Sequence, residues 1–266
     1  MRHKAYVTSF CIEARRQTRY RAAALGGIVT QLFFGMVLVT LYHTLGQENG
    51  EGPDLFRRTA TYVWLQQIFF RAFFNMDSEL NEQVLSGNVA YSMLRPVDLH
   101  SWWLCRAMAQ KLVGVTMRIL PMVVLQFLLP PQWRMLGPAD PVSFARFLLS
   151  LPIGFLVIAQ VNLITSAVTM RTLDNRGISG MISLVMMIFS GNIIPLTLLP
   201  ERLQTVIRLQ PFAQMLDAPI RMYLGGMTAD EWAMTLGIQL MWLVLLWGLS
   251  RWMWRRNLIR IEVQGG

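Results

Sequence analysis

Long apolar runs alternate with short polar stretches along almost the whole chain. A membrane-crossing helix needs about 20 predominantly apolar residues. Six runs come close to or exceed that length: about 22–45, 56–74, 102–129, 142–170, 178–198 and 232–254. Pro121 lies inside the third, which stops at Pro130-Pro131, and Pro152 lies inside the fourth. The fifth is broken near Ser190-Gly191-Asn192 and Pro195. Ahead of the first run, Tyr6, Val7, Phe10, Cys11 and Ala14 recur at helical spacing among basic residues. That pattern predicts an interfacial helix over 1–21 with one face in the headgroups; a disordered basic tail is the alternative. Glu13, Arg15, Arg16 and Arg19 interrupt the apolar core that a signal peptide would need. The chain therefore divides into an amphipathic segment, 1–21, and a single transmembrane domain, 22–266.

Between the fifth and sixth runs, Pro200–Asp230 is too polar for a span and too apolar for a free loop. Leu203, Val206, Ile207 and Leu209 form one amphipathic set, ended by Pro211. Phe212, Met215, Leu216, Ile220, Met222 and Tyr223 form another, closed by Gly225-Gly226. Two short helices at the outer leaflet fit this pattern, because backbone at membrane depth must be covered by protein or line a cavity. Thr228 to Glu231 then reads as the cap of the last span, with acids at its N-terminus.

The polar interruption at Asp77–Asp98 stands apart from the others. It carries Asp77, Glu79, Glu82 and Asp98 against a single base, Arg95. Asp77 or Ser78 suits the cap of a short helix through Leu85, and Gly87-Asn88 suits its end. A second short run, Val89–Leu94, is stopped by Pro96, which biases Arg95 away from helix. Such a segment serves as a solvated connector, a substrate port, or a docking surface for a soluble partner; helix, turn and helix together favour docking.

Charge orients these elements. Of the 24 Lys and Arg residues, sixteen fall on the side that holds both chain ends and seven on the other, with Arg118 inside the third run. An excess of basic residues marks the cytoplasmic side, so both termini are expected inside. The net charge of +9, which in a soluble protein would suggest nucleic acid, is explained here by loops facing anionic lipid. Composition agrees: 54% of residues are hydrophobic, 15% are charged and mean hydropathy is +0.40, against about 25% charged in soluble domains. Two cysteines, Cys11 and Cys105, are too few for a disulfide framework, and His3, His43 and His100 lack metal-ligand spacing.

Catalytic constellations are missing from the sequence. It contains no HExxH, no GxSxG and no paired acids within a span. The only lysines, Lys4 and Lys111, are not in a phosphate-loop context. Ion-coupled carriers usually place ionisable groups inside the membrane, and the one deep candidate is Arg118, with Asn162 and Asn192 as uncharged polar residues. Arg118 either lines a cavity that meets an anionic group or pairs with backbone carbonyls. Asn162 and Asn192 either line the same path or bond neighbouring helices. Without an energy source of its own, the chain needs a partner that supplies one, and Asp77–Asp98 is where it would dock.

This layout resembles the permease subunits of type-2 ATP-binding-cassette exporters. Ser86–Asp98, SGNVAYSMLRPVD, resembles a motif of the daunorubicin-type or uncharacterised export permease subgroup. Gly191–Gly225 resembles the same subgroup's segment after span five, and Gly87, Leu94, Arg95, Pro96, Pro195, Pro200, Pro211 and Phe212 carry the likeness together. The resemblance implies an all-α polytopic membrane protein. It would have six transmembrane helices, an N-terminal interfacial helix, cytoplasmic coupling helices between spans two and three, an outer helical hairpin, and both termini in the cytoplasm. It implies two ATPase subunits that hold ATP and Mg, with no cofactor on this chain, and a second permease, a sister chain before an identical copy. It makes Asp77, Glu79, Glu82, Gly87, Tyr91, Arg95 and Pro96 the coupling residues. Hydrophobic or amphipathic cargo (drug, lipid or peptide) in a bacterial cytoplasmic membrane is the expected setting. A non-transporting anchor that recruits a soluble partner is the alternative function.

Overall fold

A computed structural model describes residues 2–19, 21–48, 50, 52–74, 78–86, 88–94, 96–172 and 176–259. All regular structure among them is helical. The elements are α1 (Arg2–Arg19), α2 (Arg21–Glu48), α3 (Pro53–Phe74), α4 (Ser78–Leu85), α5 (Val89–Met93), α6 (Leu99–Gln126), α7 (Pro141–Thr172), α8 (Arg176–Phe189), α9 (Glu201–Arg208), α10 (Asp217–Leu224) and α11 (Ala229–Leu258). Single 3-10 turns at Pro131–Trp133, Leu196–Leu198 and Ala213–Met215 complete the connections.

Four of these helices are long and apolar enough to cross a membrane: α2 from Leu25, α6, α7 and α11. Helix α8 is apolar but short, ending at Phe189 before the Gly191 turn. Helix α3 is long, yet Arg57, Arg58, Gln66, Gln67 and Arg71 dilute its apolar character. Its position explains how it tolerates them. Residues 59–69 are buried all round, within a core that draws on α2, α6, α7 and α10. Away from water each buried polar group needs a protein partner, and α3 finds several. The Thr61 hydroxyl donates to Arg57 O at 2.7 Å and accepts from Leu136 N at 2.9 Å. Tyr62 donates to Asp217 at 3.0 Å, Trp64 Nε1 to Trp133 O at 2.8 Å, and Gln66 to the carbonyl of Gly191.

Helices α7 and α11 pack along much of their length, and polar side chains bond across the seam. Gln239 accepts from Ser150 Oγ at 3.0 Å and donates to Ser150 O at 3.1 Å and Gln214 O at 2.9 Å. Trp254 Nε1 donates to Leu163 O at 2.9 Å and Asn257 to Ala167 O at 2.5 Å. At its start α11 carries a capping box: Thr228 Oγ1 accepts from Glu231 N while the Glu231 carboxylate accepts from Thr228 N. The 213–215 turn presses on α7 at Gly154, where an added Cβ would lie 2.7 Å from Met215 O and 3.2 Å from Gln214 O. Both atoms are backbone, so neither yields by rotating a side chain. Gly154→Ala is expected to cost about 1–3 kcal/mol, the usual penalty for overpacking, seen as a lower Tm in detergent; an unchanged Tm would contradict this contact.

Candidate functional site

The polar segment between α3 and α6 folds as two short helices whose faces differ sharply. Leu80, Asn81, Val84, Val89 and Ser92 are buried. Leu80, Val84 and Val89 join Leu99, Trp102 and Trp103 of α6, Leu163 and Ala167 of α7, and Trp254 of α11 in one apolar cluster. The opposite face is open: Tyr91 is 73% exposed and Leu94 82%, with Leu85 and Met93 beside them. Glu82, Gln83, Leu85, Ser86 and Asn88 line a shallow groove there, together with Glu79. Of the expected coupling residues, Glu82 and Tyr91 stand on this open face, and Pro96 is exposed just after it. Asp77, Gly87 and Arg95 lie outside the described residues.

Glu79 has a different setting. Arg106 of α6 donates to both of its carboxylate oxygens at 2.9 Å, and Arg16 of α1 donates to it at 2.5 Å. The same two arginines hold Glu13 of α1, Arg106 through its Nη2 at 2.9 Å and Arg16 at 3.0 Å. Gln17 and Gln110 add hydrogen bonds to Glu13 at 3.0 and 3.1 Å. The Arg106 guanidinium lies 4.9 and 4.6 Å from the rings of Trp102 and Trp103, a cation–π arrangement. Burial pushes the Glu13 carboxyl up, but hydrogen bonds from Gln17, Arg106 and Gln110 and the charge of Arg106 outweigh it and hold the pKa below its usual value. Two carboxylates and two guanidiniums thus tie α1, α4 and α6 together.

Sequence reasoning did not single out Glu13, Arg16 and Arg106 as a site. Part of the apolar stripe read on α1, Val7 and Cys11, is exposed, and among the described side chains of α1 the most deeply buried is Glu13, at 2%. The signal that could have shown this is a lone acid on a helix otherwise rich in bases. A second anchor joins α6 to α11. Asp98 caps α6 by accepting from Ser101 N at 3.1 Å and takes a hydrogen bond from Arg251 at 3.3 Å. Burial pushes the Asp98 carboxyl up, and the hydrogen bonds from Ser101 and the charge of Arg251 bring it below its usual value.

The intramembrane candidates Arg118, Asn162 and Asn192 stand on three different elements: α6, α7 and the turn after α8. Arg118 is 4% exposed and donates to Gly114 O at 3.5 Å, and an added Cβ at Gly27 of α2 would meet its guanidinium at 2.6 Å. Arg71 packs against the same Gly114, and among the described residues neither arginine has a carboxylate within salt-bridge distance. Asn162 is buried in α7. Asn192 is buried in the turn after α8, where Gly191 has φ +81° and its Cα faces the Tyr62 hydroxyl. A side chain at position 191 would need both that left-handed backbone and room beside Tyr62, so glycine fits there.

A helical bundle with four membrane-length apolar helices and a two-faced pair of short helices between α3 and α6 defines a membrane protein. Residues 54–265 match the family described as ABC-2 family transporter protein. The chain belongs to that family, the membrane permeases of ATP-binding-cassette transporters, which work with ATPase partners and are not themselves catalytic. No curated protein matches the chain.

Proposed function

We propose that this chain is the permease of an ATP-driven exporter in a bacterial cytoplasmic membrane and that residues 77–98 couple it to two ATPase subunits. Helices α2, α3, α6, α7, α8 and α11 form six spans with both termini in the cytoplasm, and α1 lies at the inner interface. The single observation that carries the coupling role is the two-faced build of α4–α5. Its outer face offers Tyr91, Leu94 and Glu82 to a partner, and its inner face is fixed to α6, α7 and α11 by apolar packing.

In this mechanism the ATPases hold ATP and Mg, close on nucleotide and push α4–α5. The apolar cluster passes that push to α6, α7 and α11, and Glu79 passes it through Arg106 and Arg16 to α1. Tilting these helices changes how two permeases, this chain and a sister chain, pack together. Gating of this kind requires two discrete packings whose balance the nucleotide state biases. The path for a hydrophobic or amphipathic substrate runs beside α3, α6 and the turn after α8, where Arg118 and Asn192 keep polar atoms without a hydrogen-bond partner among the described residues.

Leu94→Asp with Glu82→Lys tests the coupling face. Both side chains are exposed, so folding should be unaffected. Loss of an interface anchor is worth about 2 kcal/mol or more, so ATPase co-purification and substrate-stimulated ATP hydrolysis should both drop sharply. Unchanged binding and unchanged stimulated hydrolysis would rule out α4–α5 as the coupling element.

A further inference from the structure

At the opposite end of the bundle, α3, the α9–α10 pair and the first turns of α11 border a half-open cavity of about 520 Å3. That size lies within the roughly 300–1,000 Å3 of small-molecule sites. Its lining includes three guanidiniums, Arg58, Arg208 and Arg221, the Glu231 carboxylate, and the apolar side chains of Leu209, Met234 and Ile238. Two local carboxylates, Asp217 and Glu231, stand against these three guanidiniums, and each already has a partner. Asp217 is fully buried and accepts from Arg221 at 2.7 Å and from the Tyr62 hydroxyl at 3.0 Å, with Arg208 at 3.5 Å. The Glu231 carboxylate accepts from Thr228 N at 2.8 Å in the α11 cap. Arg58 donates to Gly225 O at 3.3 Å and has no carboxylate partner among the described residues. Arg208 reaches Asp217 only through its buried Nε, a long ion pair at 3.5 Å that falls short of a hydrogen bond.

The cavity therefore combines surplus positive charge with apolar lining. We propose that it binds an anionic amphiphile, with the charged head on Arg58, Arg208 and Arg221 and the apolar body along Leu209, Met234 and Ile238. Guanidinium forks match phosphate and carboxylate oxygens in pairs, and an exposed Leu209 and Met234 beside them suit a chain better than a free ion. As a site on the exit side, it deepens the export reading by naming the charge of the cargo or of a resident lipid.

Binding to the purified full-length chain, without any ATPase, is the test, so its failure leaves the export reading untouched. Short-chain phosphatidylglycerol, short-chain phosphatidylcholine and inorganic phosphate are titrated separately by intrinsic tryptophan fluorescence. Phosphatidylglycerol is expected to bind at least tenfold more tightly than phosphatidylcholine. Arg58→Gln removes a charged donor whose only partner is a carbonyl, and should weaken it about tenfold. Met234→Trp, which fills the space beside the apolar lining, should weaken it as well. If inorganic phosphate displaces the lipid, the head alone is recognised and a free anion is a source of ligand; if it does not, the ligand is a lipid-like amphiphile. Equal binding of both lipids, or binding of phosphatidylglycerol that neither substitution changes, would show ordinary annular contact and overturn the proposal.

Discussion

Arg106→Ala is expected to detach α1 and α4 from α6. The guanidinium is the shared partner of Glu13 and Glu79 and stacks near two tryptophans. Removing one member of a buried pair leaves a charge without compensation, which costs about 3–5 kcal/mol. Arg16 still reaches both carboxylates, so the loss should fall at the lower end of that range. Arg106→Lys keeps the charge but not the planar fork, and should be intermediate. Thermal unfolding in detergent measures the size of the effect, and limited proteolysis of residues 2–19 shows whether α1 has come loose. A wild-type Tm with α1 still protected would contradict the assignment.

The same cluster sets an acid limit. The Glu13 pKa in the folded protein is lowered from 4.5, so the folded state binds this proton less readily than the unfolded state. Its stabilisation is therefore fully present above about pH 4.5 and is lost as pH falls through the lowered folded value. Protection of α1 from protease should hold from neutral pH down to about 4.5 and weaken progressively as pH falls further. Glu13→Gln should remove that dependence.

The second large effect is expected at Asp217. Asp217→Asn takes from Arg221 and Arg208 the only carboxylate paired with them among the described residues and weakens the acceptor of Tyr62. Two partly buried guanidiniums then face one another without a counter-charge. The expected cost is about 3–5 kcal/mol, visible as a Tm several degrees lower and as earlier proteolysis between α9 and α10. Tyr62→Phe removes only the hydroxyl and should cost about 1 kcal/mol. If Asp217→Asn proves as mild as Tyr62→Phe, the acid does not organise the α9–α10 pair.

These two clusters also mark where the sequence stopped being legible. Helix positions follow from local features, such as the apolar runs behind α2, α6, α7 and α11 and the Thr228 cap, so they could be read along the chain. Polar partners inside the bundle could not. Glu79 stands in an acidic surface segment by composition, but its partners lie 63 residues away in α1 and 27 away in α6. Gln66 and Tyr62 look like weak points of a span until Gly191 and Asp217, 125 and 155 residues further on, meet them. Periodicity shows which face of a helix is apolar, but it does not show which distant group pairs with a polar residue on the buried side. The exposure of Glu82 and Tyr91, in the polar segment between α3 and α6, needs no distant partner: among the described residues nothing covers them.

Purification of the tagged chain from its native membrane in mild detergent, with mass-spectrometric identification of what comes with it, tests the coupling claim most directly. The account predicts a soluble ATPase with a phosphate loop, together with a second permease. Recovery of the chain alone, or only with proteins that bind no nucleotide, would contradict it and favour a membrane anchor that moves nothing.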